Sequence, residues 1–553
     1  MRGFFSLCEL RKLYKPCEYR GRQDRLIRPG ALNIQYRYTC NKSSSQSFED
    51  VKKIFIEELS SRLPRFELDE CNVKVLKTPT QFYSNLLELI GKAKNHIYIF
   101  SLYVGKDERN LVDALSEALR KNNQLRLKVL VDYLRSTREH PNQCSASLLS
   151  ELKSRFPDRV DVHLFHTPEL YGWRKSVLPR RFDEGLGLQH MKFYGIDDDV
   201  IMSGANLSHD YFVNRQDRYL LLSNQPELSK YFQDLFHTTC LISYQLSSAP
   251  NLPAFKLSWP SSNVHSSPTH SSSSLESFKS IAHELYRSLT VRWQEKSQIK
   301  MKAVESDRCI SRRGGLVSIF PVLQMGSFRI NQETSALIPK LIEFAKELSN
   351  LQDGYRTRLN WTSGYFSLLR EYKQQLLESD LDVQIITASP EANGFYNSRG
   401  VSKYIPSAYT YLEYMFYKDI ISKQKQDKIQ IREWKRPGWT YHAKGIWITR
   451  TIERMGSEQE VEEECLLTTI GSSNYGRRSA ERDLECNLIL INNRLDPKKP
   501  NQPESSLSKE LIEELNQLRS LAVDKVDEDL FRSQERRVGL GVKLATRLIR
   551  NML

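Results

Sequence analysis

The chain has no uninterrupted run of 18 apolar residues, so nothing in it reads as a membrane-spanning helix and any contact with a bilayer must be peripheral. It lacks a CxxC pair or other metal-ligand spacing of cysteines. The nine cysteines (Cys8, Cys17, Cys40, Cys71, Cys144, Cys240, Cys309, Cys465, Cys486) are scattered and odd in number, and there is no secretory apolar region. Free thiols in a reducing compartment are therefore expected, and zinc is not. A GxxxxGK[ST] phosphate loop is also missing.

What the 553 residues do contain is a balance of 39% hydrophobic, 10% aromatic and 27% charged side chains. That suits a folded chain with room for two to four domains. Basic residues outnumber acidic ones by 81 to 67, a net charge of +14, which favours an anionic partner. Half of the excess lies in residues 1–46, where ten Lys/Arg stand against three acids. An Arg-rich, acid-poor segment of this kind reads as a mitochondrial targeting sequence. A basic arm that binds an anionic surface is the plainer alternative.

Between residues 71 and about 244, short apolar runs alternate with helical patterns. Strands are predicted at 96–103, 127–133, 160–165, 191–194 and 200–203, with helices such as 80–93 and 110–121 between them. The Ser/Pro-rich stretch 246–276 lacks periodicity and reads as a linker or surface loop. The rhythm then resumes at 358–365, 383–388, 429–434, 445–448, 466–470 and 488–491. The fold class is α/β. Segments 100–103, 129–132 and 165–168 match 361–365, 385–388 and 433–437 loosely but in the same order, so two lobes related by internal duplication are predicted. The boundaries are 1–46 for the basic segment, 70–245 for the first lobe, 246–310 for a linker with a connecting helix, 311–526 for the second lobe and 527–553 for a basic amphipathic end.

One motif repeats clearly. Gln189-His190-Met191-Lys192 is followed by Ser203-Gly204-Ala205-Asn206, and Tyr441-His442-Ala443-Lys444 by Gly471-Ser472-Ser473-Asn474. In both copies a carboxylate, Asp217 or Glu485, stands eleven residues beyond the Asn. On a strand, residues i and i+2 share a face, so His190 with Lys192 and His442 with Lys444 enter one pocket while Met191 and Ala443 turn into apolar packing. The Gly or Ser ahead of each Asn lets backbone N–H groups approach a phosphate, and Asn206, Asn474 and Ser472 read as phosphate-binding. One imidazole could attack phosphorus while the other donates and then accepts a proton. The lysines and asparagines would stabilise the charge, with no metal needed. Asp217 and Glu485 are expected to hydrogen-bond the imidazoles, an ordinary ion pair with Arg215 or Arg482 being the alternative. A single His-x-Lys carries little weight; the repeat at equal offsets carries the inference. His166, His209 and His237 have no repeat partner and read as ordinary histidines.

These residues are those of the HKD signature, and over roughly residues 70–500 the chain resembles the phospholipase D superfamily. The pattern His-x-Lys-(x)4-Asp is complete in the first copy, ending at Asp197, whereas Thr449 replaces the Asp in the second. Alternation does not aim Asp197 into the pocket, so it is expected to close a turn or anchor a loop. Segments 165–168, 203–208, 211–212, 214–219, 441–445 and 482–485 are similar to those of the eukaryotic mitochondrial phosphatidylglycerophosphate synthases. That resemblance implies two phospholipase D-like α/β lobes with the active site at their interface, and a catalytic set of His190, Lys192, Asp197, His442 and Lys444. It implies transfer of the phosphatidyl group of CDP-diacylglycerol to sn-glycerol 3-phosphate, with His190 the nucleophile because its copy is intact. Peripheral attachment to the anionic mitochondrial inner membrane is implied, with no nucleic-acid partner and no cofactor. Such enzymes are sometimes credited with ATP binding near the segment matching 100–107, but no loop built for it is visible here. Another phosphatidyltransferase or phosphodiesterase of the superfamily, or a non-catalytic relative, stays open as an alternative.

Two further features remain. Between 531 and 553, Arg532, Arg536, Arg537, Lys543, Arg547 and Arg550 interleave with Val538, Leu540, Val542, Leu544, Leu548 and Leu553. This reads as a basic amphipathic helix on an anionic membrane, or equally as a cap on the second lobe. The acidic run 458–464 stretches the interval from Lys444 to Asn474 to 30 residues against 14 in the first copy, and is predicted to be an exposed loop insertion.

Overall fold

Short β-branched and aromatic runs separated by amphipathic helices build two sheets on one plan. The computed structural model describes residues 47–172, 174, 183–248, 255–268, 274–306, 315–452, 462–493 and 506–549. The predicted targeting segment 1–46 lies outside them.

The first sheet contains β1 (Val73–Leu76), β2 (His96–Phe100), β3 (Arg126–Asp132), β4 (Val160–Phe165), β5 (Phe193–Ile196), β6 (Asp199–Ser203) and β7 (Tyr219–Leu222). The second contains β8 (Leu316–Met325), β9 (Tyr355–Ser363), β10 (Asp382–Ala388), β11 (Ile429–Trp434), β12 (Lys444–Ile452), β13 (Glu463–Gly471) and β14 (Glu485–Asn492). Their spatial orders are β4-β3-β2-β5-β6-β7-β1 and β11-β10-β9-β12-β13-β14-β8. In each sheet the three leading strands are parallel and the rest antiparallel. Parallel neighbours need crossovers, supplied by helices Arg109–Lys121 and Ser145–Arg155 in one lobe and Arg370–Glu378 and Ile405–Ser422 in the other. Strand for strand, the second lobe repeats the first.

The lobes are not separate beads. Phe66–Asp69 precedes the first lobe in sequence yet pairs with β8 of the second. Helix Ser506–Ser520, late in the chain, packs on both β13 and β1. A shared core joins Phe100, Phe165, Met191 and Phe193 to Ala443, Trp447, Leu484 and Leu488. Each lobe also has its own outer core under the helices. Burying a side chain such as Phe193 contributes about 1.5–3 kcal/mol, and here it does so for both lobes at once.

Two expectations are corrected. Part of the Ser/Pro-rich stretch is a strand, Phe255–Ser258, which pairs with Tyr244–Ser248 and through it extends the first sheet beyond β4. Serine-rich composition hid a strand lying at an edge with half its residues exposed. The acidic run is also not wholly a loop. Glu463 and Glu464 belong to β13, and β12 and β13 have nine residues each where β5 and β6 have four and five. Glu463 is paired with Arg519 at 2.6 Å.

Arg218, which immediately precedes β7, crosses into the second lobe. It donates to the Thr469 carbonyl (2.7 Å), the Thr468 hydroxyl (2.9 Å) and both oxygens of Glu514 (2.9 and 2.7 Å), and lies 3.7 Å over the Trp447 ring. Arg218→Met leaves Glu514 buried without its cation, which costs about 3–5 kcal/mol. The thermal unfolding midpoint of this variant should drop clearly, and Arg218→Met/Glu514→Gln should recover much of the loss. An unchanged midpoint in the single variant would show that the lobes are not clamped here.

Candidate active site

Each His-x-Lys segment is held by the opposite lobe. The His190 amide donates to the Leu484 carbonyl (2.9 Å), and the Leu484 amide returns a bond to Leu188 (2.8 Å). In the other half, Thr440 and Tyr441 pair with Arg215 and Gln216, and the His442 amide donates to the Gln216 carbonyl (2.8 Å). The predicted strand at 191–194 therefore starts only at Phe193, because the residues before it are extended along the other lobe instead of their own sheet. Side-chain parity survives. Met191 and Ala443 are fully buried in the shared core, and His190 and His442 both line one pocket, whereas Lys192 and Lys444 are buried without reaching its lining and can act on its contents only through their charge.

This cross-pairing carries the carboxylates with it, since Asp217 follows Gln216 and Glu485 follows Leu484. Asp217 accepts from Nδ1 of His442 at 2.6 Å, and both oxygens of Glu485 lie 3.0 Å from Nδ1 of His190. Each imidazole is oriented by the carboxylate of the other copy, and each keeps Nε2 for the pocket. The ion-pair alternative for these acids fails: Arg215 and Arg482 turn to Thr440 and to the Gly185 carbonyl. Lys192 donates to the His190 carbonyl (2.5 Å) and Lys444 to the His442 carbonyl (2.6 Å).

Gly204 and Ser472 occupy equivalent places, two residues before each Asn, but their roles differ from the expected approach of backbone to phosphate. A Cβ on residue 204 would lie 2.8 Å from an Asp217 oxygen and 3.0 Å from Nζ of Lys444, so glycine there makes room for the ion cluster. Ser472 does not line the pocket; its hydroxyl donates to Glu485, as does that of Ser479 at 2.7 Å. Asp197 is likewise not at the site. It takes a left-handed turn (φ 49°) at the far end of β5, and its carboxylate accepts from the amides of Lys94, Asn95 and His96 (2.7, 2.7 and 3.1 Å). Thr449 accepts from Asn360 at 3.0 Å inside β12, also remote from the pocket. Asn206 and Asn474 do line the pocket, each with a buried amide oxygen that no group among the described residues engages. A half-turn of either amide presents an NH₂ donor to a phosphate oxygen. His166 packs its ring between Tyr133 and Tyr244, away from the pocket lining.

The pocket, about 330 Å³, has further walls that motif reading missed. Tyr211 bonds Nε2 of His442 at 3.3 Å and receives a bond from the Asn206 amide at 3.1 Å. Tyr365 meets the His442 ring edge-on at 5.6 Å. Arg135, Arg138, Arg215 and Arg478 ring the cavity. One signal was available: Tyr211 and Ser479 both stand five residues beyond their Asn, a second equal offset.

Burial works against every charge here. It pushes both histidines below their usual value, with Lys444 and Arg215 driving His442 further down and Glu485 partly restoring His190. Burial brings Lys192 down to about 7 against the pull of Glu485, and lowers Lys444 as well. Asp217 is raised to about 6 by burial, opposed by Lys444. Glu485 is pushed up by burial too, but His190, Lys192 and Ser472 outweigh it and hold the acid at about 2. His190, Asp483 and Glu485 offer atoms within 4.8 Å of one another, close enough for a metal ion. Those atoms are already engaged, Asp483 with Arg478 (2.9 Å) and the Leu188 amide (2.9 Å), and Glu485 with His190, Ser472 and Ser479. A cation there would also meet the charge of Lys192. The donor set therefore fits an oriented imidazole better than a metal.

Known proteins of similar sequence and fold identify the family. The family described as "Cardiolipin synthase, PLD-like domain" matches residues 86–240. The CDP-diacylglycerol–glycerol-3-phosphate 3-phosphatidyltransferase of Saccharomyces cerevisiae is 37% identical over 503 residues, covering 88% of this chain and 88% of its own. The Gallus gallus enzyme of that name, designated mitochondrial, is 34% identical and covers 88% of this chain and 85% of its own. In fold, the solved phosphatidylserine synthase of Haemophilus influenzae Rd KW20 superimposes with a TM-score of 0.59 at 19% identity, covering 91% of this chain and 99% of that one.

The shifted lysine predicts a pH profile. A lysine that serves by its charge acts only as the ammonium, and in the free enzyme Lys192 loses its proton as pH rises through about 7. Accordingly kcat/KM should fall above about 7, while bound phosphate, which favours the ammonium, should carry the limb of kcat higher. In Lys192→Arg, whose guanidinium stays charged, that alkaline limb should vanish even if the rate is lower. A limb unmoved by the arginine would assign it to another group. With its duplicated lobes, crossed histidine–carboxylate pairs and relatives alike across most of their length, this chain belongs to the CDP-diacylglycerol–glycerol-3-phosphate 3-phosphatidyltransferase family of the phospholipase D superfamily.

Proposed function

We propose that this chain transfers the phosphatidyl group of CDP-diacylglycerol to sn-glycerol 3-phosphate, releasing CMP, at the pocket between its lobes. The observation that carries the mechanism is the pair of imidazoles, each oriented through Nδ1 by a carboxylate and facing one cavity through Nε2. Nε2 of His190 attacks phosphorus as the bond to CMP breaks, and Glu485 stabilises the positive charge that the ring acquires. The negative charge of the bound pyrophosphate offsets the burial of His442 and favours its imidazolium, whose Nε2 gives a proton to the departing oxygen and then takes one from the C1 hydroxyl of glycerol 3-phosphate. That oxygen attacks phosphorus, the P–N bond breaks, and His190 is restored. Lys192, Lys444, Asn206 and Asn474 stabilise the equatorial oxygens, and this route needs no cofactor. His190 is assigned as nucleophile because Tyr211 already bonds Nε2 of His442, a contact suited to the group that handles the proton.

Specificity for a phosphorylated acceptor falls to Arg215. Arg135 and Arg138 both spend their charge on Glu184, and Arg478 on Asp483. Arg215 bonds the Thr440 hydroxyl (2.8 Å) and an Asp210 side chain that is more than half exposed (3.2 Å), and it lies 4.6 Å over the Tyr211 ring. It therefore stands on the His442 side of the pocket with charge to offer the acceptor's phosphate. The enzyme works at the mitochondrial inner membrane as a peripheral protein; among the described residues no helix is long and apolar enough to cross it.

CMP release from CDP-diacylglycerol in detergent micelles should depend on glycerol 3-phosphate, and serine should not replace it. His190→Ala and His442→Ala should each lose about 10²–10⁴-fold, the range such groups supply. Full activity in either variant would end the paired-histidine mechanism. Arg215→Gln should raise KM for glycerol 3-phosphate by about 10- to 100-fold, the loss of a bond to a charged group, with KM for CDP-diacylglycerol nearly unchanged. An equal rise in both would place Arg215 elsewhere in the cycle.

A further inference from the structure

The pocket holds about 330 Å³, enough for a headgroup but not for two long acyl chains as well. If the substrate is a bilayer lipid, as the reading above requires, its tails stay in the membrane and the pocket mouth must meet the bilayer surface. Two exposed apolar segments adjoin elements that line the pocket, one next to Phe395 and one packed on the helix that carries Tyr409. The first follows Phe395, which lines the pocket, and carries Tyr396, Val401 and Tyr404 at 48, 70 and 48% exposure. It leads directly into helix Ile405–Ser422, whose Tyr409 also lines the pocket and stacks near Tyr365 at 5.4 Å.

The second is helix Leu540–Ile549, which packs on Ile405–Ser422. Arg547 donates to the Tyr411 hydroxyl at 3.1 Å, and Thr546 is buried. Leu540, Leu544 and Leu548, at 78, 62 and 84% exposure, fall on one stripe at the i, i+4, i+8 spacing, turned away from that contact. The helix is not loosely attached. Just before it, the buried Arg536 donates to Glu433 and Glu391, and Phe531 packs edge-on against Tyr414 at 5.0 Å. Between them, residues 396–404 and 537–549 contain Arg399, Lys403, Arg537, Lys543 and Arg547 and no acidic residue.

We propose that residues 396–404 and the stripe Leu540/Leu544/Leu548 form one docking face for an anionic bilayer, holding the pocket mouth at the headgroup level so that the lipid enters without leaving the membrane. Apolar side chains enter the acyl boundary while the surrounding cations meet anionic headgroups. The uniform basic charge favours a lipid surface over a second copy of this chain, whose matching face would carry the same sign.

The test uses the full chain with vesicles of phosphatidylcholine plus phosphatidylglycerol, and of phosphatidylcholine alone. Wild type should sediment with the anionic vesicles in a salt-sensitive way. Leu544→Glu/Leu548→Glu and, independently, Val401→Glu/Tyr404→Glu should each bind at least tenfold more weakly. Both should also turn over vesicle-embedded CDP-diacylglycerol correspondingly slowly, yet match wild type on a short-chain, water-soluble CDP-diacylglycerol, which reports that the site is intact. Should a glutamate variant fail to fold, Leu548→Trp gives a second reading: its emission should shift to the blue on adding anionic vesicles. Wild-type vesicle binding in both double variants, no shift from the tryptophan, or a change only in self-association would each overturn the docking face. Loss of short-chain activity in the wild type would instead overturn the proposed reaction, while the sedimentation and tryptophan readings would still judge the surface.

Discussion

The structure turns on one constraint: each histidine is oriented by a carboxylate from the opposite copy. Two imidazoles, two ammonium groups and two carboxylates are buried together, and burial of charge is favourable only when every member is paired at good geometry. His442 to Asp217 at 2.6 Å and His190 to Glu485 at 3.0 Å leave the lobes little freedom to slide. The backbone bonds from His190 to Leu484 and from His442 to Gln216 set that position, and Arg218 secures it from behind. Neither lobe alone contains an oriented histidine. Duplication here therefore makes one site out of two halves, instead of two sites.

The halves are alike in backbone and unequal in chemistry. Asp217 is short and backed by Gly204, where there is no space for a Cβ. Glu485 is longer and receives the hydroxyls of Ser472 and Ser479. His190, Lys192 and the Ser472 hydroxyl hold Glu485 at about 2 despite burial, while burial raises Asp217 to about 6 against Lys444, its main counter-charge. Asp197 contributes nothing to this difference, because it caps a turn that residues 94–96 make at the far end of the sheet. The reason to separate the two histidines therefore moves from the intact motif to Tyr211, which touches His442. The same tyrosine, under Arg215, links the proton-handling side to a cation fit for an anionic acceptor.

The amino-acid sequence by itself determined the α/β class, the duplication, and the residues gathered between the lobes: His190, Lys192, His442, Lys444, Asn206, Asn474, Asp217 and Glu485. These were legible because they depend on local spacing, on strand parity and on equal offsets, which duplication preserves. Strand parity argued against Asp197 facing the pocket while the family resemblance put it in the catalytic set, and the structure places it at a distant turn. Segments 100–103, 129–132 and 165–168 were matched to their counterparts by order alone, and β2, β3 and β4 do occupy the places of β9, β10 and β11. What only the tertiary structure decided is which carboxylate serves which histidine, that Ser472 supports Glu485 and does not face substrate, and that the strand at Phe255–Ser258 closes the edge of the first sheet. It alone also brought Arg215, Tyr365 and Tyr409 to one cavity and left Leu540, Leu544 and Leu548 exposed on a helix that packs on Ile405–Ser422. The histidine–carboxylate pairs and the cavity walls join residues up to hundreds of positions apart. No local periodicity encodes them, since they follow from how two lobes that share one apolar core must meet.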